Sequence, residues 1–213
     1  MPKKILAEYE AEKFLSRHAP VAKSVLVKKD SQLAAAIKAT KLPAAMKIIS
    51  KDALHKSDIG GVAIVKSQDE AKKAFSDFTK KARMKKLKLD GVLVQEFVSG
   101  KEVIIGISRD PTFGHVIAFG IGGKYVEILK DVSFRVCPIS AKDAEAMINE
   151  LKFGKILFGA RNEKPVNRKV LVSTLVKISN LAGKNKKISE LDINPFIVNE
   201  KSGKIADARI VFE

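Results

Sequence analysis

A chain of 213 residues with 46% hydrophobic content can bury a core in one large domain or two small lobes. Its net charge of +16 invites a nucleic-acid partner, but the basic residues are spread along the chain as helix-face lysines, tryptophan is absent and tyrosine occurs twice. Without an aromatic stacking platform, nucleic acid is not the expected ligand, and the positive field suits a polyanionic small molecule or an acidic partner subunit instead. No long uncharged apolar run, no signal-peptide pattern and no thiol partner for the single Cys137 is present, so a cytoplasmic protein without a membrane span, disulfide or zinc site is expected.

In chain order, Glu8–Ala19 reads as a helix, Val21–Lys29 as a strand, and Asp30 as the cap of a helix Ser31–Lys41. Ala44–Ser50 is an apolar strand carrying one charge, Lys47, and Lys51–Ile59 is a polar loop leading into the strand Gly60–Lys66. Ser67-Gln68-Asp69-Glu70 spells a capping box for a long amphipathic helix ending near Lys86. The strands Gly91–Val98 and Lys101–Asp110 are expected to pair through a hairpin turn at Ser99-Gly100, and Pro111–Gly114 turns into His115–Gly123. Tyr125–Leu129 and Ser133–Ile139 read as short strands, Ser140 as the cap of the helix Ala141–Leu151, and Asn167–Ala182 as the last helix. Helices falling between antiparallel hairpins predict an α+β fold in two lobes, 20–88 and 1–19 with 89–213.

The chain closes on Ser189–Val198, a turn at Asn199–Gly203, and a return strand Lys204–Phe212. The period of two puts Asp192 and Asn194 on one strand face, and any register through the turn brings Asp207 opposite or diagonal to Asn194. Two carboxylates and an amide oxygen are hard ligands suited to Mg²⁺ that keeps some water and phosphate in its octahedron. The plain alternative is an acidic strand end facing water.

Other residues are ambiguous singly. An ammonium inside an apolar strand, as at Lys47, needs an anion or must snorkel to water. Gly60-Gly61 lets backbone amides approach a ligand closely, or makes a tight turn. His55, in Leu54-His55-Lys56-Ser57-Asp58, is either an idle loop histidine or a phosphoryl acceptor whose tautomer Asp58 could fix.

Taken together, Lys47-Ile48-Ile49-Ser50, His55-Lys56-Ser57-Asp58-Ile59-Gly60-Gly61, Val94-Gln95-Glu96-Phe97-Val98 with Gly100-Lys101-Glu102, Phe119–Gly123 with Phe134-Arg135, Leu191–Pro195 and Ala206–Arg209 resemble the ATP-grasp subunit of ADP-forming acetyl-CoA synthetases. The order is also similar to the nucleotide-binding half of the succinyl-CoA synthetase β subunit. The resemblance covers essentially the whole chain and implies an ATP-grasp fold with the nucleotide cleft between its lobes. It implies that Lys47 contacts the phosphates of ATP or ADP, that the loop ending at Gly60-Gly61 closes over them, that Glu96 and the backbone of Val98 hold the adenine, and that Glu102 takes the ribose hydroxyls. It further implies Asp192, Asn194 and Asp207 as Mg²⁺ ligands, Arg135 as the cation at the phosphoryl group in flight, and His55 as a phosphohistidine relaying phosphate.

No Rossmann fingerprint for CoA is present, and the resemblance places CoA binding and a first phosphohistidine on a separate α subunit in an α2β2 heterotetramer. Where the family has an Arg-Gly pair, this chain reads Gly159-Ala160-Arg161-Asn162, which leaves Arg161 without an assigned role. A different ATP-grasp carboxylate ligase and a basic nucleic-acid-binding module are the alternative readings.

Overall fold

The computed structural model describes residues 3–50, 59–123, 131–159 and 163–213. The chain divides into two compact units, a smaller one, Ala22–Phe97, and a larger one made of Met1–Val21 and Val98–Glu213. It opens in the larger unit with β1 (Lys4–Leu6) and α1 (Glu8–Leu15). The smaller unit then runs β2 (Ser24–Val27), α2 (Leu33–Thr40), β3 (Ala44–Ser50), β4 (Val62–Val65), α3 (Gln68–Met84) and β5 (Leu89–Glu96). Back in the larger unit come β6 (Lys101–Asp110), β7 (Gly114–Ile121), β8 (Val132–Val136), α4 (Ala141–Glu150), α5 (Arg168–Lys184), β9 (Ile188–Val198), β10 (Gly203–Ile205) and β11 (Ala208–Phe212).

The smaller sheet has the order β2-β5-β3-β4, antiparallel throughout. Alternation sends Met46, Ile48, Val92, Val94, Val27 and Val65 to one face, where they pack with Leu33, Ile37, Ala71 and Phe78 of α2 and α3. The start of α3 keeps the expected Ser67 cap, whose Oγ accepts the Glu70 N–H at 3.1 Å, but the capping box is not completed, because the Glu70 carboxylate accepts the Lys66 N–H at 2.7 Å and not that of Ser67.

The larger sheet has the order β1-β11-β9-β6-β7-β8, with β10 beside β9. One face carries Ile105, Ile107, Ile117, Phe119, Leu191, Ile193, Phe196 and Ile210, all buried against Met147, Ile148, Leu171, Leu175 and Ile178 of α4 and α5. Each such fully buried large side chain contributes about 1.5–3 kcal/mol relative to exposure, so this apolar face fixes the sheet's inside and outside.

Three expectations change. β5 pairs with β2 and β3, whereas β6 pairs with β7 and β9, so Ser99-Gly100 is the connection between two sheets and not a hairpin turn. For the same reason the chain crosses between units after Phe97, later than residues 88–89, and β5 belongs to the smaller unit. The return strand after the last turn is broken into β10 and β11, with Asp207 in the break. The expected strand at Tyr125–Leu129 lies outside the described residues.

Candidate functional site

In the larger unit the β9 and β11 ladder places Ala208 opposite Ile193 and Arg209 opposite Asp192. At the strand break the Asn194 N–H donates to the Asp207 carbonyl at 3.2 Å, and the Ala206 N–H to the Pro195 carbonyl at 3.0 Å. Leu191, Ile193, Ala208 and Ile210 are buried, so Asp192, Asn194, Asp207 and Arg209 take the alternate positions on the open face. The structure thus brings Asp192, Asn194 and Asp207 together as expected.

The Asp192 carboxyl is held above its ordinary value, first by desolvation as surrounding atoms crowd it, then by the negative charge of Asp207, against a lowering from Arg209. The residue is nonetheless exposed, so the carboxyl sits in a crowded place that solvent still reaches. A carboxylate made costlier to ionise by a second one nearby, beside an amide oxygen, fits a hard divalent cation such as Mg²⁺. Among the described residues no group of three or more His, Cys, Asp or Glu side chains gathers for a metal.

The row through Asp192 continues across the sheet: Asp192 faces Gly106, Gly106 faces Ala118, and Ala118 faces Phe134, which is 59% exposed. Arg135 is next to Phe134 on β8 and therefore points to the opposite, helix-covered face. There its guanidinium is forked onto Glu150 at the end of α4, with Nη1 3.0 Å from one carboxylate oxygen and Nη2 on the other, and Nη1 also donates to the Phe134 carbonyl at 2.8 Å. The bond to Glu150 raises the arginine's pKa and lowers that of Glu150. The structure does not bring Arg135 to the face of Asp192: the two-residue period of β8 carries it to the other face, where it pairs with Glu150.

Glu102, the second residue of β6, is exposed against the glycine turn that follows β7. The Gly122 N–H donates to the Glu102 carbonyl at 2.7 Å, and a Cβ on Gly123 (φ +85°) would stand 3.2 Å from Glu102 Oε2. Glycine lets the chain lie close along that carboxylate. Val98 is the half-buried first residue after the crossing.

In the smaller unit Lys47 is 8% exposed on β3, opposite Val62 and Leu93, on the sheet face away from α2 and α3. Val62 and Ile64 stand exposed on that same face. Gly60 has φ +58°, and its carbonyl accepts from Lys81 Nζ at 2.6 Å, while the Gly61 carbonyl accepts the Ile48 N–H at 2.8 Å. Lys81 therefore pins the foot of the glycine segment, a part that nothing in the local pattern of α3 distinguishes from its other lysines. The Glu96 carboxylate accepts the Lys23 N–H at 2.7 Å, and the Glu96 N–H donates to the Lys23 carbonyl at 2.8 Å. One carboxylate oxygen is thus committed to the backbone, two residues from one chain crossing and one from the other. His55 and Arg161 lie outside the described residues.

Comparison with known proteins gives these surfaces a family. The model of the ATP-grasp domain matches residues 2–212. The chain belongs to the ATP-grasp family. Its α+β architecture is that of ATP-grasp proteins of known structure: acetyl-coenzyme A synthetase 1 of Ca. Korarchaeum cryptofilum, solved with coenzyme A, Ca-AMPCP and HgCl+, superposes with a TM-score of 0.95 at 39% identity, covering 99% of this chain and 94% of that one. The same protein solved with coenzyme A and Mg-AMPPCP, its phosphohistidine segment pointing towards the nucleotide binding site, gives 0.87 at 38% identity, covering 99% and 93%. Among relatives, the β subunit of acetate–CoA ligase [ADP-forming] I from Pyrococcus furiosus is 48% identical over 79% of this chain and 75% of its own length. Acetate–CoA ligase [ADP-forming] I from Archaeoglobus fulgidus is 42% identical over 79% of this chain, which spans only 25% of that longer protein. Among the described residues no helix is long and apolar enough to cross a membrane.

Proposed function

We propose that this ATP-grasp chain is the nucleotide-binding β subunit of a cytoplasmic ADP-forming acyl-CoA synthetase, catalysing acyl-CoA + ADP + phosphate ⇌ acid + CoA + ATP together with a separate α subunit. The observation that carries the reading is the gathering of Asp192, Asn194 and Asp207 on the open face of the larger sheet. Relatives named as β subunits, and longer relatives in which the matching stretch is a quarter of one chain, support a division of labour with a partner holding the CoA-binding domain and the first phosphohistidine. The assembly in this reading is α2β2.

Phosphoryl transfer asks the protein mainly for positioning and for positive charge around the moving group. Lys47 binds the phosphates of ADP from the smaller unit, and Gly60 and Gly61 present backbone to them. Glu96 and Val98 serve the adenine through the main chain, since the Glu96 carboxylate already accepts from Lys23, and Glu102 takes the ribose hydroxyls. Asp192, Asn194 and Asp207 hold Mg²⁺, which neutralises phosphate charge when bound.

His55 is the relay. Its ring first takes the phosphoryl group from the partner's phosphohistidine, one N–P bond forming as the other breaks. A terminal β-phosphate oxygen of ADP then bonds to phosphorus as the His55 N–P bond breaks, and its electron pair returns to a ring whose second nitrogen carries the proton that keeps the leaving imidazole neutral. The acyl group is recognised on the partner, so the acid accepted is a property of the complex.

The test is phosphorylation of the reconstituted complex with ³²P-labelled ATP. An acid-labile, base-stable label on this chain, lost in His55→Ala while ADP still binds, is expected. Full turnover by this chain alone, or label that persists in His55→Ala, overturns the subunit and relay readings respectively. A different ATP-grasp ligase would carry no phosphohistidine, and a nucleic-acid module would lose its ATP affinity to competing DNA.

A further inference from the structure

We propose that Arg209 is the catalytic guanidinium of the open-face patch, contacting phosphate oxygens of the nucleotide and of the phosphoryl group in transfer; this rests on the nucleotide-binding reading above. The geometry is that of the β9 and β11 ladder. Arg209 stands opposite Asp192 and two residues from Asp207, on the face that both carboxylates share. Directly opposed side chains in such a ladder have Cβ atoms about 4.5–5.5 Å apart, well inside the reach of an arginine that must clear one aspartate.

Beyond Asp192 the same row holds Gly106 and Ala118, so nothing taller than a methyl group stands on the sheet there. Space rather than strain explains the small residue at Gly106: a Cβ added to it would come no closer than 3.6 Å to any neighbour. An arginine reaching over Asp192 therefore ends above an open floor beside the metal ligands.

Among the described residues no other cation stands at that place on the sheet. Across the paired positions of β11, β9, β6, β7 and β8, this row presents Arg209, Asp192, Gly106, Ala118 and Phe134 on the open face, and the rows on either side of it carry no Lys or Arg at their paired positions, Val211, Glu190, Ser108, Val116 and Val136 on one side and Ile104, Gly120 and Val132 on the other. Arg135 and Arg109 take the alternate, opposite parity, and each is tied to a glutamate, Glu150 and Glu213. Lys204 shares the open face but stands opposite Ile197, further along β9, and already has a partner. Arg209 is exposed and enters no ion pair among the described residues.

The chemistry suits the position. Two carboxylates holding a divalent cation leave the polyphosphate's remaining charge to be met by the protein, and a planar guanidinium donates two parallel N–H bonds to phosphate oxygens without giving up a proton.

The experiment uses the purified chain and three probes: ADP in EDTA, ADP with Mg²⁺, and Mn²⁺ alone followed by electron paramagnetic resonance. Arg209→Gln is expected to weaken ADP binding roughly tenfold or more with and without Mg²⁺, the size of a lost charge-assisted bond. Mn²⁺ alone should bind as well as or better than to wild type, because a positive charge beside the carboxylates is gone. Arg209→Lys should restore part of the ADP affinity. Unchanged ADP affinity in Arg209→Gln overturns the assignment, and so does loss of Mn²⁺ binding together with ADP, which would mark Arg209 as a structural support of the patch. Wild-type chain that binds no ADP at all refutes the nucleotide-binding reading itself and is thereby distinguishable from a failure of Arg209 alone.

Discussion

The two faces of the larger sheet each hold an arginine within reach of a carboxylate, and the two arginines are placed for opposite ends. On the helix-covered face Arg135 is forked onto Glu150 and bonded to its own neighbour's carbonyl. On the open face Arg209 stands across from Asp192 with Asp207 nearby, exposed and in no ion pair among the described residues. The first pair is closed and neutral; the second patch sets two aspartates beside one arginine, and in the proposed reading a cation and a polyanion complete it. A residue's type sets what chemistry it can do, and the parity of its strand sets whether it meets the ligand.

The strongest way to break this contrast is to remove a ligand from the open face. Asp207→Ala should cut the Mg²⁺-dependent part of ADP affinity by at least about tenfold, since even residues that only support a metal ligand cost 10–100-fold when lost. Calorimetric titration with and without Mg²⁺ checks it. Equal affinities in wild type and variant would mean that the patch is only an acidic strand end.

The covered face should answer in stability and not in binding. Arg135→Gln removes an ion pair whose partner Glu150 is solvent-exposed, so only a small melting shift, no more than about 4 °C, is expected in a chain of this size. ADP affinity should be unchanged. A variant that keeps its melting temperature but loses ADP would return Arg135 to the site and erase the distinction between the faces.

The same contrast measures how much could be read from the chain itself. Strict alternation in Leu191–Asn194 and Ala206–Ile210 made the grouping of Asp192, Asn194 and Asp207 legible, because a period of two is set by backbone geometry and survives any detail of packing. Applied two residues beyond Asp207, that alternation also puts Arg209 on the patch, so the signal for it was present. The motif gave Arg135 a position along the chain but could not give its face. Ser99-Gly100 was misread because local turn chemistry cannot say which sheet the following strand joins; only pairing with β7 and β9 decides that. Lys81 and the Lys23 bond to Glu96 had no local signal at all, since each depends on residues 21 and 73 positions distant in sequence.

The smallest and most specific prediction concerns pH. Asp192 is held above the ordinary carboxylate value by crowding and by Asp207, so ionising it costs more in the folded chain than in the unfolded one. Stability from this group is therefore fully present below the ordinary carboxylate pKa and is lost as pH rises through the elevated one. Asp143 and Glu150, which lie lower than ordinary, act in the opposite sense and lose their contribution as pH falls. The difference between wild type and Asp192→Asn isolates the first effect, because the variant cannot ionise there. Without divalent cation the variant should melt about 1–2 °C above wild type at neutral pH, a small gap because Asp192 is exposed and screened, and the gap should close as pH falls below the carboxylate range. With Mg²⁺ and ADP the order should reverse, since a bound cation turns the crowded carboxylate into a ligand. A gap that ignores both pH and Mg²⁺ would show that the open face gains nothing from its paired aspartates, and that its difference from the closed Arg135 and Glu150 pair is one of exposure alone.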